Sequence, residues 1–350
     1  MKGSAEFWMR IVIVVSFLAL IIYAPAILFP FILSLIIAIL LTPAAKRIHS
    51  FLQGMGMKWV PYDGAIILSF ALFIAVIYFI SVHILVPFIA EFRQFARSVP
   101  DMINAVQISL ADLEGRYQLR LLPPEMQNLI SQILQNIGEY TLRIAQLSLS
   151  AIFSIASTII QLIVVPFITF YMMKKGDQFV QKFIHLFPDR YTNHLELLFQ
   201  EIYFVLNAYI RGQLLLSILI GAVVFLGMWF MDIPYPLVIG LLAAVVEMVP
   251  LIGPIIGAIP PILLGLMQGT AVMVQIIVFY VIVQQLDGHF VMPKLMGSII
   301  DVHPVAIMAG VLIGGHVFGI VGMMLSVPLV AVLQVVLRHM WFYDRYRSLK

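Results

Sequence analysis

The stretch that decides the fold is Tyr235–Gln268, YPLVIGLLAAVVEMVPLIGPIIGAIPPILLGLMQ, and a similar one follows at Pro304–Leu337, PVAIMAGVLIGGHVFGIVGMMLSVPLVAVLQVVL. Both have 34 residues and are interrupted by glycine and proline. A continuous helix of that length would measure about 51 Å against a hydrocarbon core of about 30 Å, and two full spans would have about 17 residues each. The third option is a hairpin of two half-helices that turns back inside the membrane. Such paired interrupted segments indicate the binding site of a secondary transporter.

The composition excludes a water-soluble protein. The chain has 350 residues, of which 62% are hydrophobic and 11% are charged, whereas soluble domains carry about 25% charged residues. Apolar stretches long enough to span a bilayer recur along the chain, which predicts an all-α polytopic bundle of membrane helices in contact with lipid. A net charge of +3 does not indicate nucleic-acid binding, and the absence of cysteine excludes a Cys-based metal site. We expect no other metal site and no cofactor.

Charge and hydropathy divide the chain into four predicted regions. Residues 1–90 form three membrane helices. Residues 91–146 interleave charges with apolar residues three or four apart, which predicts an amphipathic helical arm outside the membrane. Residues 147–204 hold a fourth membrane helix and a cytoplasmic amphipathic insert. Residues 205–350 form a transport region with a helix, the hairpin 235–268, another helix, the hairpin 304–337 and a basic cytoplasmic tail.

The distribution of Lys and Arg predicts the orientation in a bacterial inner membrane. These residues place both chain ends in the cytoplasm, and Pro25 and Pro30 are expected to mark the turn between the first two helices. The hairpin candidate 235–268 then enters from outside and 304–337 from inside, as an inverted repeat. Replacing each hairpin by two full spans gives the same sidedness, so both versions stay open.

Glu247 is the ionisable group of the first hairpin candidate. A charge at mid-membrane costs about 2.5–3.5 kcal/mol on insertion scales. Desolvation favours the neutral carboxyl, which suits a group that binds and releases a proton or a cation. The alternative is a carboxyl that is paired with a neighbouring helix or lies at a shallower depth.

The hairpin tips are the candidate solute sites. Proline and glycine break each helix, and the half-helix that follows presents unpaired N–H groups to an oxygen-rich or anionic solute. His316 could change charge near neutral pH, or it could be a hydrogen-bonded packing residue. The tip residues are Pro250, Gly253, Pro254 and Gly257 in the first hairpin and Gly314, Gly315, His316 and Gly319 in the second.

A further set of polar residues could gate or couple transport. Arg211 should pair with Glu201, Asp287 or Glu247, or else extend to the membrane interface. The polar residues at the cytoplasmic end of the helix before residue 287 could form a gate or an ordinary solvated helix end. The candidates are Asn207, Arg211, Gln213, Gln284, Asp287, His289, Lys294 and His303.

Ordered sequence pieces give the chain a resemblance to the autoinducer-2 exporter family of bacterial membrane proteins. The pieces are YIRGQ at 209–213, VPLIGPIIG at 249–257, QxxDG at 284–288, MPKLMG at 292–297, HP at 303–304 and FGIVG at 318–322. The resemblance implies export of small polar molecules such as autoinducer-2, with cation–proton exchange in some relatives. It also implies a homo-oligomer of five subunits, in which the hairpin-bearing region moves in an elevator-like way.

Other functions stay open at this point. One is a sodium (or lithium)/proton antiporter. Another is a membrane scaffold or regulator that binds a partner through the arm at 91–146. We expect no enzyme, because neither His-Glu-x-x-His nor Gly-x-Ser-x-Gly occurs in the sequence.

Overall fold

The structure, a computed structural model, describes residues 25–57, 59–117, 132, 155–188, 191–250, 252–296 and 302–341. The helix predicted before residue 24 and the arm's Pro-Pro break at 123–124 lie outside these residues. Within them every regular element is helical, which confirms the all-α class. Five helices are long and apolar enough to cross a membrane, which confirms the predicted multi-span character.

The described helices follow one another with short connections. Two π-helical segments, Ser81–Leu85 and Asp287–Val291, join α2 to α3 and α8 to α9. A π segment holds one extra residue per turn and often marks a functional site. The helices are α1 (Pro25–Gly54), α2 (Tyr62–Ile80), α3 (Val86–Tyr117), α4 (Ile155–Ile184), α5 (Thr192–Phe230), α6 (Pro236–Val246), α7 (Gly253–Gln268), α8 (Thr270–Leu286), α9 (Met292–Met296), α10 (Pro304–Met324) and α11 (Ser326–Trp341).

The described chain forms two compact units, and the first contains α1, most of α2 and α4. Its helices are joined by buried hydroxyls: the Ser34 hydroxyl donates to the Val165 carbonyl at 3.1 Å, and the Thr169 hydroxyl donates to the Ser34 carbonyl at 3.3 Å. Pro25 begins α1, but the turn predicted at Pro30 is wrong, because α1 runs through this residue. Backbone groups in an apolar environment must be bonded within the helix, which favours continuing it.

The second unit contains α3, nearly all of α5, and α6 to α11. Its largest apolar core joins residues of α5, such as Val224, to Val238 of α6, Leu264 of α7 and Ile276 of α8. The helix α3 continues from the predicted third membrane helix into the predicted arm, and its buried Phe95 belongs to the same core. This core fixes the surroundings of the first interrupted stretch.

The first interrupted stretch consists of two short helices that contact each other. The helix α6 has 11 residues and α7 has 16, which correspond to about 16 and 24 Å, both less than a hydrocarbon core. At Gly253 the chain passes so close to α6 that a Cβ would lie 1.8 Å from the Val246 carbonyl oxygen. Only glycine allows this approach, and it brings α7 back against α6.

The second interrupted stretch also turns back, but its break is narrower than predicted. Gly319 leaves the helical conformation with φ 60° and ψ −143° inside α10, while Gly314, Gly315 and His316 stay helical. Gly322 lies against Gly314, where a Cβ on Gly322 would be 2.0 Å from the Gly314 carbonyl oxygen. The chain therefore reverses between these two glycines. Entry of the two stretches into the membrane from opposite faces stays a prediction.

Candidate functional site

A small cavity lies in the second unit beside the break between α6 and α7. Its volume is about 20 Å³, which is enough for one water molecule. Four helices and one π segment surround it, and its walls are mostly apolar. The lining residues are Ile220, Val224, Ala243, Val246, Glu247, Pro254, Gly257, Tyr280, Val283, Gln284 and Asp287.

Glu247 is the most deeply buried acidic residue of this cavity, with 8% of its surface exposed. It follows directly after α6, and its backbone carbonyl accepts a hydrogen bond from Gln213 Nε2 of α5 at 2.9 Å. Its carboxyl group makes no hydrogen bond or ion pair with the residues that the structure describes. A buried carboxyl without a partner among the described residues is costly unless it is protonated or binds a cation.

Asp287 lines the same cavity from the first position of the second π segment. Its Oδ1 atom is buried and finds no hydrogen-bond partner in the described part of the chain. The charges of Asp287 and Glu247 are close enough to interact. Two carboxyls of like charge around one small apolar space are most easily accommodated when a proton or a cation lies between them.

Two side chains hold the first interrupted stretch in place. The Gln213 side chain of α5 donates to the Glu247 carbonyl. The Tyr280 hydroxyl of α8 donates to the Gly257 carbonyl of α7 at 3.3 Å. Both side chains are buried. A buried hydrogen bond of this kind contributes about 1 kcal/mol and leaves a costly unpaired group when one partner is removed.

Some of the candidate site residues predicted from the sequence line this cavity. Glu247, Pro254, Gly257, Gln284 and Asp287 line it, and Gly253 and Gln213 are in direct contact with the break. Pro250 lies within the break itself and is half-buried. The residues of the second tip, namely Gly314, Gly315, His316 and Gly319, do not line this cavity, and His316 is exposed.

The remaining predicted residues lie elsewhere. Asn207 and Arg211 are half-buried on α5, and Lys294 is exposed on α9. His289 is exposed, and its Nδ1 lies 3.1 Å from the Gln285 carbonyl. His303 caps α10, because its Nδ1 accepts a hydrogen bond from the Val305 N–H at 3.3 Å. None of these residues lines the cavity.

Glu201, an expected partner of Arg211, is engaged by α11. Its carboxylate forms an ion pair with Arg338, and its Oε2 lies 2.7 Å from Nε2 of His339, which is fully buried. Beside this cluster Val205 of α5 packs against Ala331 and Val335 of α11. The second interrupted stretch is therefore attached to α5 through its C-terminal limb.

Sequence reasoning missed three polar residues in this region, namely Tyr209, Ser217 and Tyr280. Tyr209 and Ser217 are spaced four residues on either side of Gln213, so a periodicity search along this helix could have found them. Tyr280 stands alone in an apolar run, where a tyrosine gives no signal that distinguishes a structural contact from membrane packing.

The family described as AI-2E family transporter matches residues 11–341. The transport-protein candidate YueF of Bacillus subtilis is 29% identical over 95% of this chain and 93% of its own length. The permease candidate PerM of Escherichia coli K12 is 26% identical over 95% of this chain and 92% of its own. The AI-2 transport protein TqsA of Escherichia coli K12 is 25% identical over 94% of this chain and 92% of its own.

Because the match covers nearly the whole chain, the protein belongs to the AI-2E family of transporters, and the resemblance predicted from the sequence is confirmed. Together with the five apolar helices, this membership identifies a multi-pass membrane transporter or permease of bacterial type. The family is described as one of transporters.

Proposed function

We propose that this protein is a secondary transporter that exports a small polar solute, of the autoinducer-2 type, across the bacterial inner membrane. A proton or a cation bound at Glu247 drives the movement. The observation that carries the proposal is the buried carboxyl of Glu247, without a protein partner in the described chain, at the break between two helices that are both too short to span a bilayer.

The size of the cavity supports a division of roles between ion and solute. A space of about 20 Å³ admits one water or one monovalent ion, but it is far smaller than the pockets of about 300 Å³ or more that hold small molecules. The cavity is therefore the ion site, and the solute binds where the two interrupted stretches open. In this scheme both stretches enter the membrane as hairpins from opposite faces, and their unit moves in an elevator-like way.

The family relationship supports the proposed solute class, and the sequence resemblance is the basis for the proposed assembly. The relative TqsA is named an AI-2 transport protein, which supports a small, oxygen-rich solute for this chain. We also propose that the protein assembles into a homopentamer, as the family resemblance implies. Both chain ends lie in the cytoplasm in this proposal.

Glu247→Gln in proteoliposomes tests the role of this carboxyl. The amide keeps the size of the side chain but cannot take up a proton, so we expect lower solute flux with little pH dependence between about pH 6 and 8. The matched control is Glu196→Gln, which makes the same change on α5 outside the cavity. Flux that keeps the wild-type pH dependence in Glu247→Gln would remove this residue from the mechanism.

The ion-sized cavity also favours a second function, a sodium (or lithium)/proton antiporter. In that case two carboxyls exchange protons for a cation and no organic solute is needed. Vesicles without solute distinguish the two: an imposed sodium gradient moves protons through an antiporter, whereas an exporter requires the solute on the donor side.

A further inference from the structure

A stripe of three polar residues runs along one buried face of α5. Tyr209, Gln213 and Ser217 are spaced four residues apart, which places them one above the other on the helix. Ile220 and Val224 continue the same face, and both line the cavity beside Glu247. Ser217 therefore lies between the residue that bonds the break and the residues that form the cavity wall.

The two hydroxyls of this stripe are buried without a protein partner. Tyr209 and Ser217 are each 4% exposed, and neither hydroxyl oxygen makes a hydrogen bond with the described residues. Membrane-helix hydroxyls usually bond the carbonyl one turn earlier, and Ser34 and Thr42 of α1 do so at 2.6 Å. The Ser217 hydroxyl makes no such bond to its own helix.

Buried polar atoms in proteins are bonded either to protein or to ordered water. Three such atoms belong to this part of the second unit: the hydroxyls of Tyr209 and Ser217 on α5, and the Oδ1 atom of Asp287 in the cavity wall. Gln213, which lies between Tyr209 and Ser217 along the helix, donates its amide to the carbonyl of Glu247, another residue of the cavity wall. Ordered water is the ligand that would satisfy all three at little cost.

We propose that the polar stripe of α5 and the cavity between Glu247 and Asp287 bind a file of ordered water that carries protons to Glu247. The inference rests on the proposed coupling role of Glu247. Tyr209 and Ser217 are about 12 Å apart along the helix axis, so the path requires more than one water. Tyr209 lies near the middle of α5 and precedes Ser217, so it is the end of the path nearer the proposed cytoplasmic side.

The first test locates the water. A cryo-electron microscopy map of the full-length protein in lipid nanodiscs, at a resolution that shows ordered water, should contain density within hydrogen-bond distance of both the Ser217 and the Tyr209 hydroxyls. A map in which the Ser217 hydroxyl instead donates to the Gln213 carbonyl, with apolar packing around Tyr209, would overturn the proposal. This test does not depend on transport.

The second test removes the hydroxyls. Tyr209→Phe and Ser217→Ala should slow proton movement, followed with a pH-sensitive dye in proteoliposomes, by about tenfold to a hundredfold. Ser217→Thr keeps a hydroxyl and should retain most of the rate. The matched control is Ser69→Ala, which removes a buried hydroxyl bonded to its own helix in the first unit.

The outcomes separate this inference from the proposed function. Loss of transport in Glu247→Gln together with unchanged rates in Tyr209→Phe and Ser217→Ala would overturn the water path and leave the function standing. A wild-type protein that moves neither solute nor protons would overturn the function, and the map would still decide whether the water is present. A lower midpoint of thermal unfolding without any change of proton rate would assign the hydroxyls a structural role and overturn the path.

Discussion

The two interrupted stretches have the same length and a similar composition, yet the structure surrounds them differently. The limbs α6 and α7 of the first contribute to the largest core, and side chains from α5 and α8 hold its break. In the second stretch α10 is mostly exposed, and only 11% of its most apolar 18-residue segment is buried. The helix α11 attaches this stretch to α5. Hydropathy alone therefore does not distinguish a limb held inside the protein from one whose surface faces outward.

The glycines at the two turns also have different functions. Gly253 is required by space, because a Cβ there would overlap the Val246 carbonyl of α6. Gly319 is required by conformation, because its φ of 60° with ψ of −143° is adopted almost only by glycine. No heavy atom lies within 4 Å of a Cβ built at Gly319. Packing therefore closes the space around Gly253, whereas the space around Gly319 is open and the close contact of the second turn lies beside it, between Gly314 and Gly322.

The largest expected effect is that of Gly253→Ala. The added methyl group meets a backbone carbonyl that cannot move without displacing α6, so we expect a loss of about 3 kcal/mol or more. The measurement is the midpoint of thermal unfolding of the purified protein in detergent. The matched control is Gly176→Ala in α4, where a Cβ has open space and the change should be slightly stabilising. A Gly253→Ala variant as stable as the wild type would show that the first turn does not depend on the close approach of Gly253 to α6.

A smaller effect is expected for Gly319→Ala. The alanine fits but must adopt a strained backbone conformation, which costs about 1–3 kcal/mol. The same unfolding midpoint should fall less than in Gly253→Ala. An equal or larger fall would mean that the space around Gly319 is also closed by packing, and the distinction between Gly253 and Gly319 would be lost.

The smallest effect is expected for Glu201→Gln at the attachment of α11. The change removes the charge that faces Arg338 and His339, and a partly exposed ion pair contributes up to about 1 kcal/mol. Added salt should lower the midpoint of thermal unfolding of the wild type but not that of the variant, because salt screens the ion pair. That result would show that the attachment of α11 is partly electrostatic. A fall as large as that of Gly253→Ala would show that the second stretch is held as firmly as the first.

The sequence predicted that both interrupted stretches break, because proline and glycine act on the local backbone, although Pro30 shows that a proline can also lie inside a continuous helix. The first break lies at the predicted prolines and glycines. In the second, the predicted tip was too wide: Gly314 serves close contact with Gly322 and not a break. A glycine that permits contact and a glycine that permits a turn look the same in one sequence.

The rest depends on tertiary structure. Nothing in the residues of Asp287–Val291 distinguishes a π segment from an α-helix, so the position of Asp287 in the cavity could not be predicted. Glu201 was considered only as a partner for Arg211, because the closeness of α5 and α11 is a long-range contact. Glu247 and Gln213 were found because a polar residue in an apolar run is visible without any structure.

The lengths of α6 and α7 also determine when the first interrupted stretch can enter the membrane during its synthesis. On its own, the 11-residue α6 is too short for the translocation channel to retain as a transmembrane segment. The break after it, at 247–252, contains Glu247 but no Lys or Arg for the positive-inside rule to orient. We therefore expect its partition into lipid to wait until α7 has emerged from the exit tunnel, so that the two limbs insert together.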